Sequence, residues 1–235
     1  MNTNIKNPID LYHLLILHIE RELRIEKNNN SNKQKIKYEN NKSDTFISQT
    51  FISEFKKETK CALCEKTFDE LQNFYSFDLD IINTYKEILK NEITISDCLE
   101  YYIRPKNAQR ICCVCYKKSN LEVKKTFYQP SKILVFVLNR NNRSEEIEIL
   151  KIRFIYEEII DISNYIDKKL PKIEAEYILI GVVAFSLNKQ KFVSFCRNIL
   201  YNEWFCFNED TINECNYNDI INSSTPYILF YKRID

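Results

Sequence analysis

The chain has 235 residues, 44% of them apolar with 15 Tyr and 15 Phe, so it can bury one large core or two small ones and is not broadly disordered. Its 34 basic and 33 acidic residues are intermixed for a net charge of +1, leaving no basic stripe of the kind that grips nucleic acid. There is one glycine, Gly181, where average usage of ~7% would give on the order of 16. The opening MNTNIKNPID is too polar for an export signal. The longest apolar run, YILIGVVAF at Tyr177–Phe185, is about half of the ~20 residues a membrane helix needs. We therefore expect no membrane contact and a location in the cytoplasm, the nucleus or both. In such a reducing compartment, nine cysteines point to metal ligation or free thiols rather than a disulfide framework.

Residues 8–24 (PIDLYHLLILHIERELR) read as an amphipathic helix, with Pro8 and Asp10 favouring its first turn and Arg21 and Arg24 its last. Leu11, Leu15, Ile19 and then Leu23 follow the helical period. The Asn/Lys/Ser-rich stretch 26–44 breaks it and reads as a flexible insert. Short strands are expected around Thr50–Phe55, Asn73–Ile81, Glu122–Tyr128, Ile133–Leu138 and Leu150–Tyr156, with a short helix near Thr94–Tyr102. The last third reads as strands at Tyr177–Leu187, Lys191–Arg197, Glu203–Phe207 and Tyr227–Tyr231. Helix first and sheet after is an α+β order, and no internal repeat is visible.

Two cysteine pairs have ligand spacing, Cys61-Ala-Leu-Cys64 and Cys112-Cys113-Val-Cys115. A C-x2-C turn sets two thiolates on one side of a tight knuckle, half of a tetrahedral zinc site. The alternative, four thiols buried as small apolar groups, fits poorly beside Lys60, Glu65, Lys117 and Lys118. One structural zinc at Cys61, Cys64, Cys112 and Cys115 is the expectation, with Cys113 left out because it cannot easily point the same way as its two neighbours. Cys98, Cys196, Cys206 and Cys215 lie in helix- or strand-like runs and read as buried thiols.

The order of these features resembles the ubiquitin-specific protease family of cysteine-type deubiquitinases, over almost the whole chain. DLYHLLILHIEREL is similar to the family's helix after its nucleophile region, and FKKETKCALCEKTFDELQNFYSFDLDI to the first half of its zinc-bearing fingers. ISDCLEYYI and RICCVCYKK resemble the next helix and the second knuckle; QPSKILVFVLNR resembles the family's P-x-x-L-x-x-x-L-x-R strand, and IRFIYEEIIDI the element after it. YILIGVVAFSLNKQKFVSFCR, NEWFCFNED and TPYILFYKR follow the last motifs in order. The resemblance implies a papain-like fold of partial thumb, zinc-bearing fingers and mostly antiparallel β palm. On that reading 1–235 is a single domain, with a residual thumb helix at 8–24, the insert at 26–44, fingers at 45–128 and palm at 129–235.

It also implies hydrolysis of the isopeptide bond after ubiquitin's terminal glycine, by a thiolate, a His base and an orienting Asn or Asp. In this chain no cysteine precedes Cys61 and no glycine precedes Gly181, so the family's Gly-Asn-Thr-Cys type of box is not found upstream of the first helix. Gln190-Lys191-Phe192 stands where the family has Gly-His-Tyr, and Asn208 matches the orienting residue. An ordinary Lys, with a pKa of ~10.4, is a cation at neutral pH and cannot take the proton. The two histidines, His13 and His18, are about 140° apart on the first helix with no cysteine near them in sequence, and read as surface or satisfied core residues. Lys191 is expected to end in solvent. The leading expectation is an inactive member of the ubiquitin pathway, binding ubiquitin or ubiquitinated proteins or serving as a scaffold. Two alternatives remain: an active deubiquitinase whose nucleophile box is missing from the gene as read, or a zinc-stabilised interaction module without ubiquitin contact.

Overall fold

In the computed structural model, which describes residues 7–30, 45–88, 90, 92–140, 152–171, 175–186, 190–209 and 211–234, helix α1 spans Pro8–Asn30. Asn7 Oδ1 accepts from the Ile9 N–H at 3.0 Å at its start, and Pro8 has no N–H to leave unsatisfied there. The helix passes Arg24 and takes in 26–30, the first part of the stretch read as an insert. No Gly or Pro interrupts it, and each residue added to a formed helix adds a hydrogen bond. The rest of that stretch, 31–44, lies outside the described residues.

Thr50–Phe55 is not one strand: helix α2 is Phe46–Phe51 and strand β1 is Ser53–Cys61. Its aromatic and β-branched residues favour a strand locally, but Thr45 caps a helix. Its Oγ1 accepts from the Ser48 N–H at 3.1 Å, and its hydroxyl donates to the buried Glu20 carboxylate of α1. After β2 (Thr67–Phe74) the expected strand Asn73–Ile81 breaks at Tyr75–Ser76. It resumes as β3 (Phe77–Asp80), and Ile81 opens helix α3 (Ile81–Ile88). Strand β4 (Glu92–Thr94) leads into helix α4 (Ile95–Ile103), which starts on a reciprocal cap. There the Asp97 N–H reaches Thr94 Oγ1 at 3.1 Å, and the Thr94 N–H reaches Asp97 Oδ2 at 2.9 Å.

The remaining elements are β5 (Lys106–Ile111), β6 (Lys118–Gln129), β7 (Ile133–Asn139), β8 (Arg153–Ile155), β9 (Ile159–Asp161), a 3-10 turn at Ser163–Tyr165, β10 (Glu176–Ser186), β11 (Lys191–Asn198), β12 (Glu203–Asn208), β13 (Thr211–Cys215), helix α5 (Tyr217–Ser223) and β14 (Ser224–Arg233). A four-stranded antiparallel sheet runs β2-β1-β6-β5. A large sheet runs β13-β12-β11-β10-β14-β7-β3, with β9 also on β10; within it, among the described residues, only the β3–β7 pair is parallel, and a separate two-stranded sheet pairs β4 with β8 in parallel.

Alternation in β7 sorts two cores. Leu134, Phe136 and Leu138 face the main core with α4, while Val135 and Val137 face Ile9, Tyr12 and Ile16 of α1. In β10 the core-facing positions change parity, from Tyr177 and Leu179 to Val182 and Ala184. A register shift against β14 between Leu179 and Gly181 accounts for it, and places the chain's one glycine at the irregularity. The fold is the α+β one expected. Among the described residues no helix is long and apolar enough to cross a membrane.

Candidate functional site

Both cysteine pairs sit at the far end of the four-stranded sheet, in the β1–β2 and β5–β6 turns, and the two turns are built alike. Cys61 N–H bonds Lys66 O at 3.0 Å and Glu65 N–H bonds Cys61 O at 2.9 Å; Cys112 N–H bonds Lys117 O at 3.0 Å and Tyr116 N–H bonds Cys112 O at 2.9 Å. In each the residue after the second cysteine is left-handed, Glu65 at φ 57° and Tyr116 at φ 58°. Glycine normally takes that conformation without strain, so two side-chain-bearing residues hold it here. The C-x-x-C-x-K of CALCEK and CCVCYK, too short to stand out as an internal repeat, carries this pairing in the sequence.

Strand pairing brings the turns together. Because β1 and β5 both flank β6, Cys61 lies opposite Leu121 and Ile111 opposite Lys118. The sulfurs of Cys61, Cys64, Cys112 and Cys115 all fall within 4.8 Å of one another, with Cys64 and Cys112 at 3.8 Å. A tetrahedral ion with ~2.3 Å bonds to sulfur has edges of about 3.8 Å, so the four can hold a metal ion. The Val114 N–H points at Cys112 Sγ from 3.3 Å, and the Ser119 hydroxyl lies 3.4 Å from Cys61 Sγ. Ser119, then the Cys64 N–H, draw the Cys61 thiol down to about 6. The Lys66 N–H alone would lower Cys64 too, but burial and the three neighbouring sulfurs push it up to about 11. Four thiols this close cannot all ionise without a cation among them. Cys113 is exposed and outside the cluster, as expected.

Of the other cysteines, Cys98 is buried, with its thiol pushed up to about 12 by desolvation. Cys206 and Cys215 are half-buried. Cys196 is exposed, contrary to the expectation, because β11 directs Val193 and Phe195 to the core and turns Cys196 to the opposite face.

Lys191 opens β11 and Asn208 closes β12. One step beyond the Ser194–Phe207 pair the register sets Asn208 opposite Val193, so Lys191 and Asn208 share a face of the sheet edge. Asn208 Oδ1 is buried without a hydrogen-bond partner among the described residues. Lys191 does not end free in solvent: its Nζ pairs with Glu209 Oε1 at 3.1 Å. Gln190 and Glu209, beside the two matched positions, are both left-handed, at φ 51° and 49°. On α1, His13 Nε2 is 3.0 Å from Ser76 Oγ and His18 is exposed; neither is near a described cysteine thiol in any contact.

The family profile of ubiquitin carboxyl-terminal hydrolases matches residues 13–231. The chain belongs to that family. No curated protein matches the sequence. Among solved structures it is similar to the SAGA Ubp8/Sgf11/Sus1/Sgf73 DUB module. One such match has 18% identity and a TM-score of 0.76, covering 100% of this chain and 51% of that one. A second, of the module bound to monoubiquitin, has 17% identity and a TM-score of 0.72, covering 95% and 48%. A third, of the yeast module, has 18% identity and a TM-score of 0.66, covering 83% and 44%. The chain thus spans about half the length of the solved family members it matches, and at these identities the likeness shows the fold.

Proposed function

We propose that this chain is a ubiquitin-recognising member of the family that does not hydrolyse ubiquitin conjugates. The observation that carries the reading is Lys191. At the position matched to the family's base stands the Lys191 ammonium, which has no lone pair with which to take a proton from a thiol and is paired to the Glu209 carboxylate. Asn208, matched to the residue that orients the base, keeps its side-chain oxygen buried with no described donor to receive. The framework holds both positions on one sheet face, and the chemistry between them is lacking.

On this reading the four cysteines hold one zinc ion in a closed site. Four sulfur ligands leave no open position for substrate or water, so the ion supplies folding free energy and no catalysis. Ubiquitin recognition is carried over from the fold, since the module bound to monoubiquitin shares it. Nine cysteines with no disulfide among them favour a cytoplasmic or nuclear location.

Two measurements test the reading. Titration with 15N-labelled ubiquitin should shift and broaden a contiguous set of ubiquitin amides. No change at a concentration of order 1 mM would leave the zinc-stabilised interaction module as the better account. A ubiquitin carrying a C-terminal electrophile should form no covalent adduct with the chain. An adduct at one cysteine would overturn the inactive assignment and name the nucleophile.

A further inference from the structure

One face of the four-stranded sheet carries positive charge that the protein does not neutralise. Along it β1 and β6 set Phe55 opposite Phe127, then Lys57 opposite Lys125, then Thr59 opposite Val123, because residues two apart on a strand share a face. Phe55 and Phe127 are buried in the main core, and Thr59 is buried on the other side of the lysine pair. Like charges directly opposite each other destabilise paired strands. Lys57 has a partner, Glu70 of β2, at 3.1 Å. Lys125 is half-buried, and its contacts are to Tyr102 of α4: its Nζ lies 4.7 Å over the ring and 3.4 Å from the phenol oxygen. Strand β5 adds a third ammonium. Lys106 lies opposite Val123 on the same face, with its Nζ 3.9 Å over the Tyr101 ring. Burial, then the Lys106 and Lys57 charges, hold the Lys125 ammonium below the usual lysine range, and no carboxylate acts against them. An aromatic face attracts a cation but cancels no charge.

We propose that Lys57, Lys106, Lys125 and the Tyr102 hydroxyl bind a phosphoryl dianion, either free phosphate or the phosphoryl group of a monoester. The three ammoniums and the one carboxylate paired to them, Glu70, leave two positive charges on the face. A phosphomonoester carries about −1.5 to −2 at neutral pH and three acceptor oxygens, so one group can answer several donors at once. Tyr102 supplies a donor of a different kind. Its oxygen accepts from Lys125, which leaves the phenol hydrogen without an acceptor among the described residues. Burial, then the Asp78 charge, raises Tyr102 above the ordinary phenol range, so the hydrogen stays on. The ring itself is braced edge-on against Phe55 at 5.5 Å, which fixes where the hydroxyl stands. A bound dianion would remove the repulsion between Lys57 and Lys125, so binding and sheet stability are linked.

This site is independent of ubiquitin recognition, and its test uses the full chain without ubiquitin. Inorganic phosphate is titrated into the 15N-labelled protein at fixed pH, with chloride keeping the ionic strength low and constant. Amides of β1, β5 and β6 around the three lysines should shift and saturate, with a midpoint on the order of 1 mM. Lys125→Met should weaken binding about tenfold, and Lys106→Met and Tyr102→Phe about threefold each. In chloride alone Lys125→Met should melt no lower than the parent, because it removes a repulsion; a lysine with a purely structural role would show a loss. O-phosphoserine run in parallel separates the two sources: tighter binding than phosphate assigns the site to a monoester, equal or weaker binding to the free ion. No saturable shift by about 20 mM phosphate overturns the proposal. So do shifts that survive unchanged in Lys106→Met, an exposed position whose replacement leaves the fold intact.

Discussion

The four-cysteine cluster and the Lys191–Asn208 edge are both assembled by antiparallel strand register, yet they differ in what the register delivers. At the far end of the four-stranded sheet, two turns 47 residues apart in sequence converge with all four ligands present and their sulfurs within 4.8 Å. At the edge of the large sheet the register is equally sound, but the residues it delivers are an ion-paired ammonium and an amide oxygen without a described donor. Backbone geometry survives a change of side chain because hydrogen-bonded ladders do not depend on side-chain identity; chemistry at a site does not survive it. The contrast predicts that substitutions at the cluster act on folding, and that substitutions at the edge act on almost nothing.

The largest effect is expected from Cys112→Ser. Cys112 is fully buried, and losing one of four thiolates should abolish tight metal binding and remove several of the ~10–16 kcal/mol such a site contributes. Metal content and thermal unfolding measured together check this. Cys113→Ser, one residue away and exposed, should change neither by more than ~0.5 kcal/mol. If the two variants behave alike, the ion is not held where the geometry places it.

The next effect is at the seam between the two regions. Lys56 of β1 reaches Asp167, beyond β9, at 3.0 Å, and also Asp69 at 3.0 Å. Lys56 and Asp167 are each 11% exposed, whereas Asp69 is 44% exposed and mostly screened. Lys56→Met leaves the Asp167 carboxylate in a poorly solvated place and should cost about 1–3 kcal/mol in chemical denaturation. Burial alone would raise Asp167, but the Lys169 N–H and the Lys56 ammonium hold it below the usual carboxylate range. A depressed folded value stabilises the fold above the unfolded one, ~3.9, and the contribution is lost as pH falls through the folded value. Asp167→Asn should therefore flatten the acid limb of stability below about pH 4, and an unchanged limb would place the acid sensitivity elsewhere.

Much of this was readable beforehand. Ile133–Leu138 and Tyr177–Phe185 are continuous apolar runs, and buried strands leave that mark. The gathering of Cys61, Cys64, Cys112 and Cys115 followed from their spacing. The failures are equally specific. Thr50–Phe55 reads as one strand, because the helix that takes in Thr50 and Phe51 starts at a cap on Thr45 that depends on a Glu20 carboxylate brought from another helix. Leu11, Leu15 and Ile19 follow the helical period yet stay exposed, because the residues that meet the sheet are Ile9, Tyr12 and Ile16 further round the helix. The Lys191–Glu209 pair crosses a hairpin whose turn register the sequence does not print.

Smaller still is the effect of backbone strain, which is shared by cluster and edge. Glu65, Tyr116 and Gln190 are exposed residues held at positive φ in a chain with one glycine. Replacing each by Gly should relieve the left-handed strain at the cost of a more flexible unfolded chain, for a net gain of about 0.5–1 kcal/mol apiece. The melting temperature of the triple variant is the most sensitive reading. A loss of stability would mean that the Tyr116 or Glu65 side chain supports the knuckle.

The smallest expected effect is Lys191→His. Lys191 is 33% exposed and its partner Glu209 71% exposed, so solvent screens the pair and its loss should cost no more than ~0.5 kcal/mol. The new imidazole would stand on the sheet face that carries Asn208 Oδ1, and an N–H from it is the donor that oxygen lacks. A hydrogen bond there should offset the lost ion pair, leaving stability within a few tenths of a kcal/mol of the parent. It should also leave a signature in solution: a His ring N–H proton protected from exchange, which Lys191→His, Asn208→Ala should lose. Hydrolysis of a ubiquitin conjugate should not appear, because a base without a nucleophilic thiol within hydrogen-bond reach has no proton to take. If activity does appear in the single variant, a cysteine of this chain reaches that edge. Cys206, on β12 two residues before Asn208 and half-buried, would be the first to replace.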